Sequence, residues 1–275
     1  MVIETIILIA VLAFLAELLD SSLGMMYGTI LSPLLIIMGY DPFVVVPSIL
    51  LSQAGGGLVA SIFHHKYSNA DFKPKIVNFK KIKSKIKEIG LMESFKRGFS
   101  KDFKVAFVIS TLGVIATILA VLLAVNLPKS FIKIYIGILV LIMGVILLSR
   151  VKFRFTWRRM IGVGLISSFN KGLSGGGFGP IVTSGQIIAG NNPKGAIAAT
   201  TLAEAPICLV GFLTYMLTKG FSSWYFLLAL SVGAIIAAPL GALLTSKMNE
   251  RKLRPVLGIL ALVLGIWTLT KVFLK

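Results

Sequence analysis

Long apolar runs alternate with short polar breaks along this chain. Several of the runs approach or exceed the roughly 20 residues that span a bilayer as a helix. The first runs from Val2 to Leu19, and a break at Asp20 to Gly24 parts it from a second, Met25 to Met38. Asp41-Pro42 predicts a turn, because proline restricts its predecessor and suits the first turn of a helix. A third segment spans Phe43 to Phe63. Two more, Val105 to Val125 and Phe131 to Ser149, flank Asn126-Leu-Pro-Lys-Ser. The later part repeats the scheme: Met160 to Phe169, a glycine-rich break, Gly175 to Ala189, Gly195 to Leu217, Phe221 to Thr245 and Val256 to Phe273. Pro239 and Gly241 are expected to kink or end the fourth of these.

The repetition is internal, and from Gly24 to Pro42 it runs without gaps. An offset of 151 carries Gly24 onto Gly175, Tyr27 onto Phe178, Gly28 onto Gly179, Gly39 onto Gly190 and Pro42 onto Pro193. Further on, Gly137 and Gly144 match Gly258 and Gly265 at an offset of 121. The offset falls by 30 because only the first copy carries a polar insert, residues 64 to 104. A duplicated unit follows, with one membrane repeat at 1–149 and a second at 150–275.

Composition narrows the class. Apolar residues make up 56% of 275 and charged residues 14%, and mean hydropathy is +0.93. Soluble domains carry about 25% charged residues, so this is a multi-pass protein of the cytoplasmic membrane. The run Val2 to Leu19 is expected to remain as a span, since Glu4 is its only early charge and no basic stretch precedes it as in a signal peptide. The net charge of +18 would suggest nucleic acid in a soluble protein. Here the basic residues gather between apolar segments, at 64–104, 150–159 and 247–254, which marks cytoplasmic loops instead. With those three inside, 126–133 falls outside while its repeat counterpart 247–254 stays inside. Equivalent loops on opposite faces make the two halves inverted. The expected fold is therefore an all-α integral membrane protein of two inverted repeats. Each repeat would hold a pair of short helices meeting near the midplane and three transmembrane helices.

In the insert, Phe72, Ile76, Phe79, Ile82, Ile86, Ile89, Met92, Phe95 and Phe99 recur every three or four residues with lysines opposite. That pattern predicts one or two amphipathic helices on the anionic inner leaflet, as an orientation anchor or a regulatory surface. One cysteine, Cys208, and two histidines leave no basis for a disulfide or a soft-metal site. No clustered nucleophile and base suggests an enzyme, and no cofactor is expected.

The breaks offer another chemistry. A short arm such as Met160 to Phe169, at ~1.5 Å per residue, reaches about halfway through a ~30 Å core. The next helix is then expected to start near Ser174 to Gly176, with its unpaired N–H groups and positive dipole end at depth. Glycines let a ligand approach, so Ser174, Gly175, Gly176 and Gly177 form a candidate anion site, with Ser21, Ser22, Gly24 and Tyr27 as the first copy's set. Simple tight helix packing through small residues is the competing reading. Lys171, whose repeat counterpart is Asp20, is a candidate for direct anion contact; a structural Lys171–Asp20 pair is the alternative. Glu204, opposite Gln53 in the repeat, sits mid-segment and suits a proton carrier, with Asp20 beside it; a carboxyl that only hydrogen-bonds a broken backbone is the rival reading. Intramembrane charges of this kind are costly and usually functional.

With these residues in view, the chain resembles the TauE/SafE sulfite exporter family, also called the 4-toluene sulfonate uptake permeases. The resemblance rests on Gly24-Met-Met-Tyr-Gly28 with Gly39-Tyr-Asp-Pro42, and on Gly175-Gly-Gly-Phe-Gly179 with Gly190-Asn-Asn-Pro193. It implies movement of sulfite, sulfonates, sulfoacetate, thiosulfate or related small anions by an ion gradient, in the export direction. The first copy departs from the family pattern, with Met25, Met26 and Tyr27 in place of a glycine cluster. The sequence reading is thus a secondary transporter coupled to protons or another ion, with an anion channel of the same architecture as the alternative. Oligomeric state is left open.

Overall fold

A computed structural model describes residues 3–24, 26–73, 98–149, 157–188, 191–221, 223–245 and 250–274. Ten helices carry these residues: α1 (Ile3–Leu23), α2 (Tyr27–Ile37), α3 (Pro42–Lys66), α4 (Lys101–Ala124), α5 (Lys129–Leu148), α6 (Trp157–Ser174), α7 (Gly179–Ile188), α8 (Pro193–Lys219), α9 (Trp224–Leu244) and α10 (Glu250–Phe273). Six of them, α1, α3, α4, α5, α8 and α9, are long and apolar enough to cross a membrane. The amphipathic helices expected in the insert fall mostly on 74–97, outside the described residues.

Polarity runs inside out. Large apolar side chains such as Ile7, Leu15, Ile115, Leu119, Ile236 and Ile266 point outward, while Glu17, Asp20, Gln53, Lys171 and Glu204 are buried. A soluble core would reverse that, whereas a lipid-facing surface requires it. Trp224 and Tyr225 stand exposed at the start of α9, where amphipathic rings suit a membrane interface.

Local rules set the helix starts. Asp41 caps α3 by accepting from Phe43 N–H at 2.9 Å, with Pro42 at its first position. Asn192 and Pro193 do the same for α8, so the expected turns are present at both places. Ser100 caps α4, accepting from Phe103 N–H at 3.2 Å. Its hydroxyl also donates to the Asp71 carbonyl, so the two ends of the insert leave and return side by side. Pro239 does not end α9, which continues to Leu244.

The main helix pairings are kept when the first five helices are exchanged with the last five, although α2 also packs on α5 and α10 without a matching set of contacts from α7. α1 packs on α9 as α6 packs on α4; α3 packs on α9 as α8 packs on α4. The self-paired contacts are α3 with α8 and α5 with α10. Small residues set the close approaches. A Cβ at Gly144 of α5 would lie 2.9 Å from the Gly258 carbonyl oxygen of α10, and Gly137 and Gly265 lie along the same seam.

Candidate functional site

The two breaks share one backbone device. Gly24 follows α1 at φ +70°, and Gly175 follows α6 at φ +77°. Glycine enters this left-handed region without the steric cost that a Cβ brings. The Gly24 N–H donates to the Asp20 carbonyl at 2.6 Å, and the Gly175 N–H to the Lys171 carbonyl at 2.8 Å. Both glycines therefore close the C-terminal end of the preceding helix. This corrects the expected helix start at Ser174 to Gly176: α6 runs through Ser174, and α7 begins at Gly179. The arm is accordingly 18 residues long rather than ten. At the next special position Gly177 takes φ +79° and its repeat counterpart Met26 takes φ 107°, so the first copy keeps the backbone path without the glycine.

The breaks then press against each other. A Cβ at Gly176 would lie 2.9 Å from both the Gly28 carbonyl carbon and the Thr29 nitrogen, and one at Gly28 would run into the Gly175 carbonyl oxygen. Reciprocal hydroxyls hold the junction. Ser32 of α2 donates to the Ser174 carbonyl at 2.7 Å. Thr183 of α7, the repeat counterpart of Ser32, donates to the Gly24 carbonyl at 2.7 Å.

The amides expected to face a ligand are already engaged. Gly176 N–H donates to Ser174 Oγ at 3.1 Å, Gly177 N–H to Thr29 Oγ1 at 3.1 Å, and Tyr27 N–H to Asp20 Oδ1 at 3.0 Å. These three amides thus have protein acceptors in the structure. Backbone donors away from water must find partners, and here the opposite half supplies one of them. Ser22 donates to the Leu19 carbonyl at 3.1 Å, and Ser21 donates to Glu17 Oε1 at 2.6 Å.

Beside the junction lies a buried polar chain. Lys171 Nζ sits 2.7 Å from Glu204 Oε1 and donates to Gln53 Oε1. Gln53 Nε2 donates to Asp20 Oδ2 at 3.0 Å. Lys171 is 1% exposed, Gln53 2%, and Asp20 and Glu204 3% each. In place of the alternative Lys171–Asp20 pair, Lys171 pairs with Glu204, with the Gln53 amide between lysine and aspartate. The offset of 151 explains the pattern. It carries Asp20 onto Lys171 and Gln53 onto Glu204, so each half makes the same α1–α3 or α6–α8 contact with different chemistry. Tyr27 reaches Ser52 Oγ with its hydroxyl at 2.7 Å, and Ser52 passes the chain to the Ile49 carbonyl at 3.1 Å.

All the residues singled out from the sequence lie at this junction or in the chain beside it. Sequence reasoning missed Ser32, Thr183, Thr29 and Ser52. The first two carried a signal, since both are hydroxyls at one repeat position inside apolar runs. Two surface clefts of about 270 Å³ each, one between Lys133 and Lys271 and one beside Leu58 and Phe103, lie away from the cluster.

A dry ammonium thus sits against one carboxylate and is linked to a second through an amide.

Comparison with known proteins agrees in kind. Residues 88–268 match the family model described as Sulfite exporter TauE/SafE. The chain is also similar to the "Probable membrane transporter protein YtnM" of Bacillus subtilis (strain 168), 24% identical over 269 residues, covering 93% of this chain and 79% of that protein. No solved structure matches.

Proposed function

Because the chain belongs to the TauE/SafE sulfite exporter family, whose members are membrane transporters and not enzymes, we propose that it is a proton-coupled secondary transporter exporting a small sulfur-containing anion of the sulfite, sulfonate, sulfoacetate or thiosulfate class. The observation that carries this reading is the sealed Lys171–Glu204 pair, 2.7 Å apart, set against two broken helices. One basic group at such depth suits one small anion, and adjacent carboxyls suit protons.

The main helix pairings kept on exchange of the halves support two repeats at 1–149 and 150–275, and the placement of basic loops supports their inversion. In the cycle we envisage, Glu204, with Asp20, takes a proton and releases Lys171. The breaks part, and the anion replaces Glu204 on Lys171. Amides of Gly175 to Gly177 and the Ser174 hydroxyl exchange their protein acceptors for the ligand, with Ser21, Ser22, Gly24 and Tyr27 on the facing side. The anion then leaves Lys171, Glu204 gives its proton to water, and closure restores the Lys171–Glu204 pair. The close backbone contact favours this carrier over a channel, which needs an open path.

Liposomes holding the purified protein test the proposal with sulfite, thiosulfate, sulfate and a sulfonate in turn. Saturable flux of one of these, changing with an imposed pH gradient, is expected. Flux that neither saturates nor responds to pH would mean a channel, and no flux of any of the four would overturn the substrate class.

A further inference from the structure

Glu17 lies one turn before Asp20 on α1 and is 0% exposed. Ser21 donates to its Oε1 at 2.6 Å, and Oε2 has no hydrogen-bond partner among the described residues. The carboxyl packs where Gly56 of α3 has no side chain; a Cβ there would lie 3.0 Å from the Glu17 carboxyl carbon. The groups facing it are Asp20 on its own helix, Glu204 on α8 and Lys171 on α6, with Tyr27 of α2 and Cys208 of α8 close by. From α9 the neighbour of Gly56 is Ala234, which is not titratable. His64, farther along α3, is held by Asn69 Nδ2 at 3.1 Å.

Charge balance separates the three carboxyls. Lys171 neutralises one, and Glu204 holds it. Asp20 accepts from an amide side chain and a backbone N–H, which suits a carboxylate. Glu17 has one hydroxyl and a bare oxygen, and an unpaired carboxylate in so dry a place is strongly disfavoured. A hard metal cation asks for several oxygen ligands at once, while a proton needs only the single free oxygen.

We infer that Glu17 is a further proton-binding residue of this site, holding a proton on Oε2 in the closed conformation and releasing it to water when the two breaks part. This rests on the transporter reading for its role but not for its detection. The proton bond breaks at Oε2, the electron pair stays on the carboxylate, and entering water accepts the proton.

Infrared difference spectroscopy tests it on the full chain in phosphatidylglycerol-containing vesicles without substrate, between neutral and strongly alkaline pH. Wild type is expected to show a protonated-carboxyl band at neutral pH. Glu17→Gln should delete it and Glu204→Gln should retain it. Glu17→Asp should shift the band, which keeps the test decisive if the glutamine variant does not fold. A band at full strength in Glu17→Gln and unshifted in Glu17→Asp overturns the inference. So does a wild type that shows no protonated-carboxyl band at neutral pH. A failure of all four anions to move in liposomes would sink the transporter substrate and leave this spectroscopic result standing.

Discussion

Lys171 and Glu204 form a salt bridge of 2.7 Å with their side chains only 2% and 5% exposed. Removing one member of such a pair leaves the other as an uncompensated buried charge, which costs about 3–5 kcal/mol. Lys171→Ala should therefore lower the unfolding temperature as well as stop transport. Lys171→Met combined with Glu204→Gln should regain most of the stability and still move no sulfite. Thermal unfolding in detergent beside liposome flux checks both. A double variant no more stable than Lys171→Ala would mean the pair is not what the fold depends on.

Glu204→Gln alone addresses coupling. The amide keeps a hydrogen-bond acceptor for Lys171 but takes no proton. Sulfite or thiosulfate flux is expected to lose its response to an imposed pH gradient while a residual, gradient-independent exchange remains. An unchanged gradient response would exclude Glu204 as a proton carrier.

Backbone contact at the junction makes a steric prediction. Gly28→Ala places a methyl group on the Gly175 carbonyl, and overpacking of this kind typically costs about 1–3 kcal/mol. Gly162→Ala is the control, because a Cβ there meets nothing within 4 Å. Melting curves should separate the two, with the control at or above wild type.

At the helix start of α3, Asp41 serves both as a cap and as partner to Lys129. The pair is solvent-exposed, and exposed pairs contribute about 0–1 kcal/mol, while a lost cap costs about 1 kcal/mol. Asp41→Ala should thus destabilise more than Lys129→Ala, and Asp41→Asn should behave almost as wild type.

Inversion of the halves has a labelling test. Cys208 is buried and is the protein's one cysteine, so a Cys208→Ser background gives clean reporters. Asn126→Cys should react with an impermeant thiol reagent from outside, and Arg251→Cys only after the membrane is opened. Labelling of both from outside would mean parallel repeats.

The helices were legible in the sequence because they are written locally, in apolar runs. The offset even named the four members of the buried chain two by two, Asp20 with Lys171 and Gln53 with Glu204. It did not say who touches whom. Like positions were expected to meet across the two halves, yet each charge met the third helix of its own half. The glycines misled for a related reason. A glycine between two helices can end the first or begin the second, and only the hydrogen bonds to Asp20 and Lys171 carbonyls show that it ends the first. The long-range ties across the junction were likewise beyond reach, because Thr29 holds the Gly177 amide and Ser32 and Thr183 hold the Ser174 and Gly24 carbonyls from far along the chain.

Those two hydroxyl latches have a mechanical result. Ser32 fastens the last residue of α6, and Thr183 fastens the glycine that follows α1. Each half grips its sibling's weakest point, like two hands clasped at the wrist. Neither grip slackens without disturbing the other, so the junction should release in a single step, with no half-undone form through which ions leak.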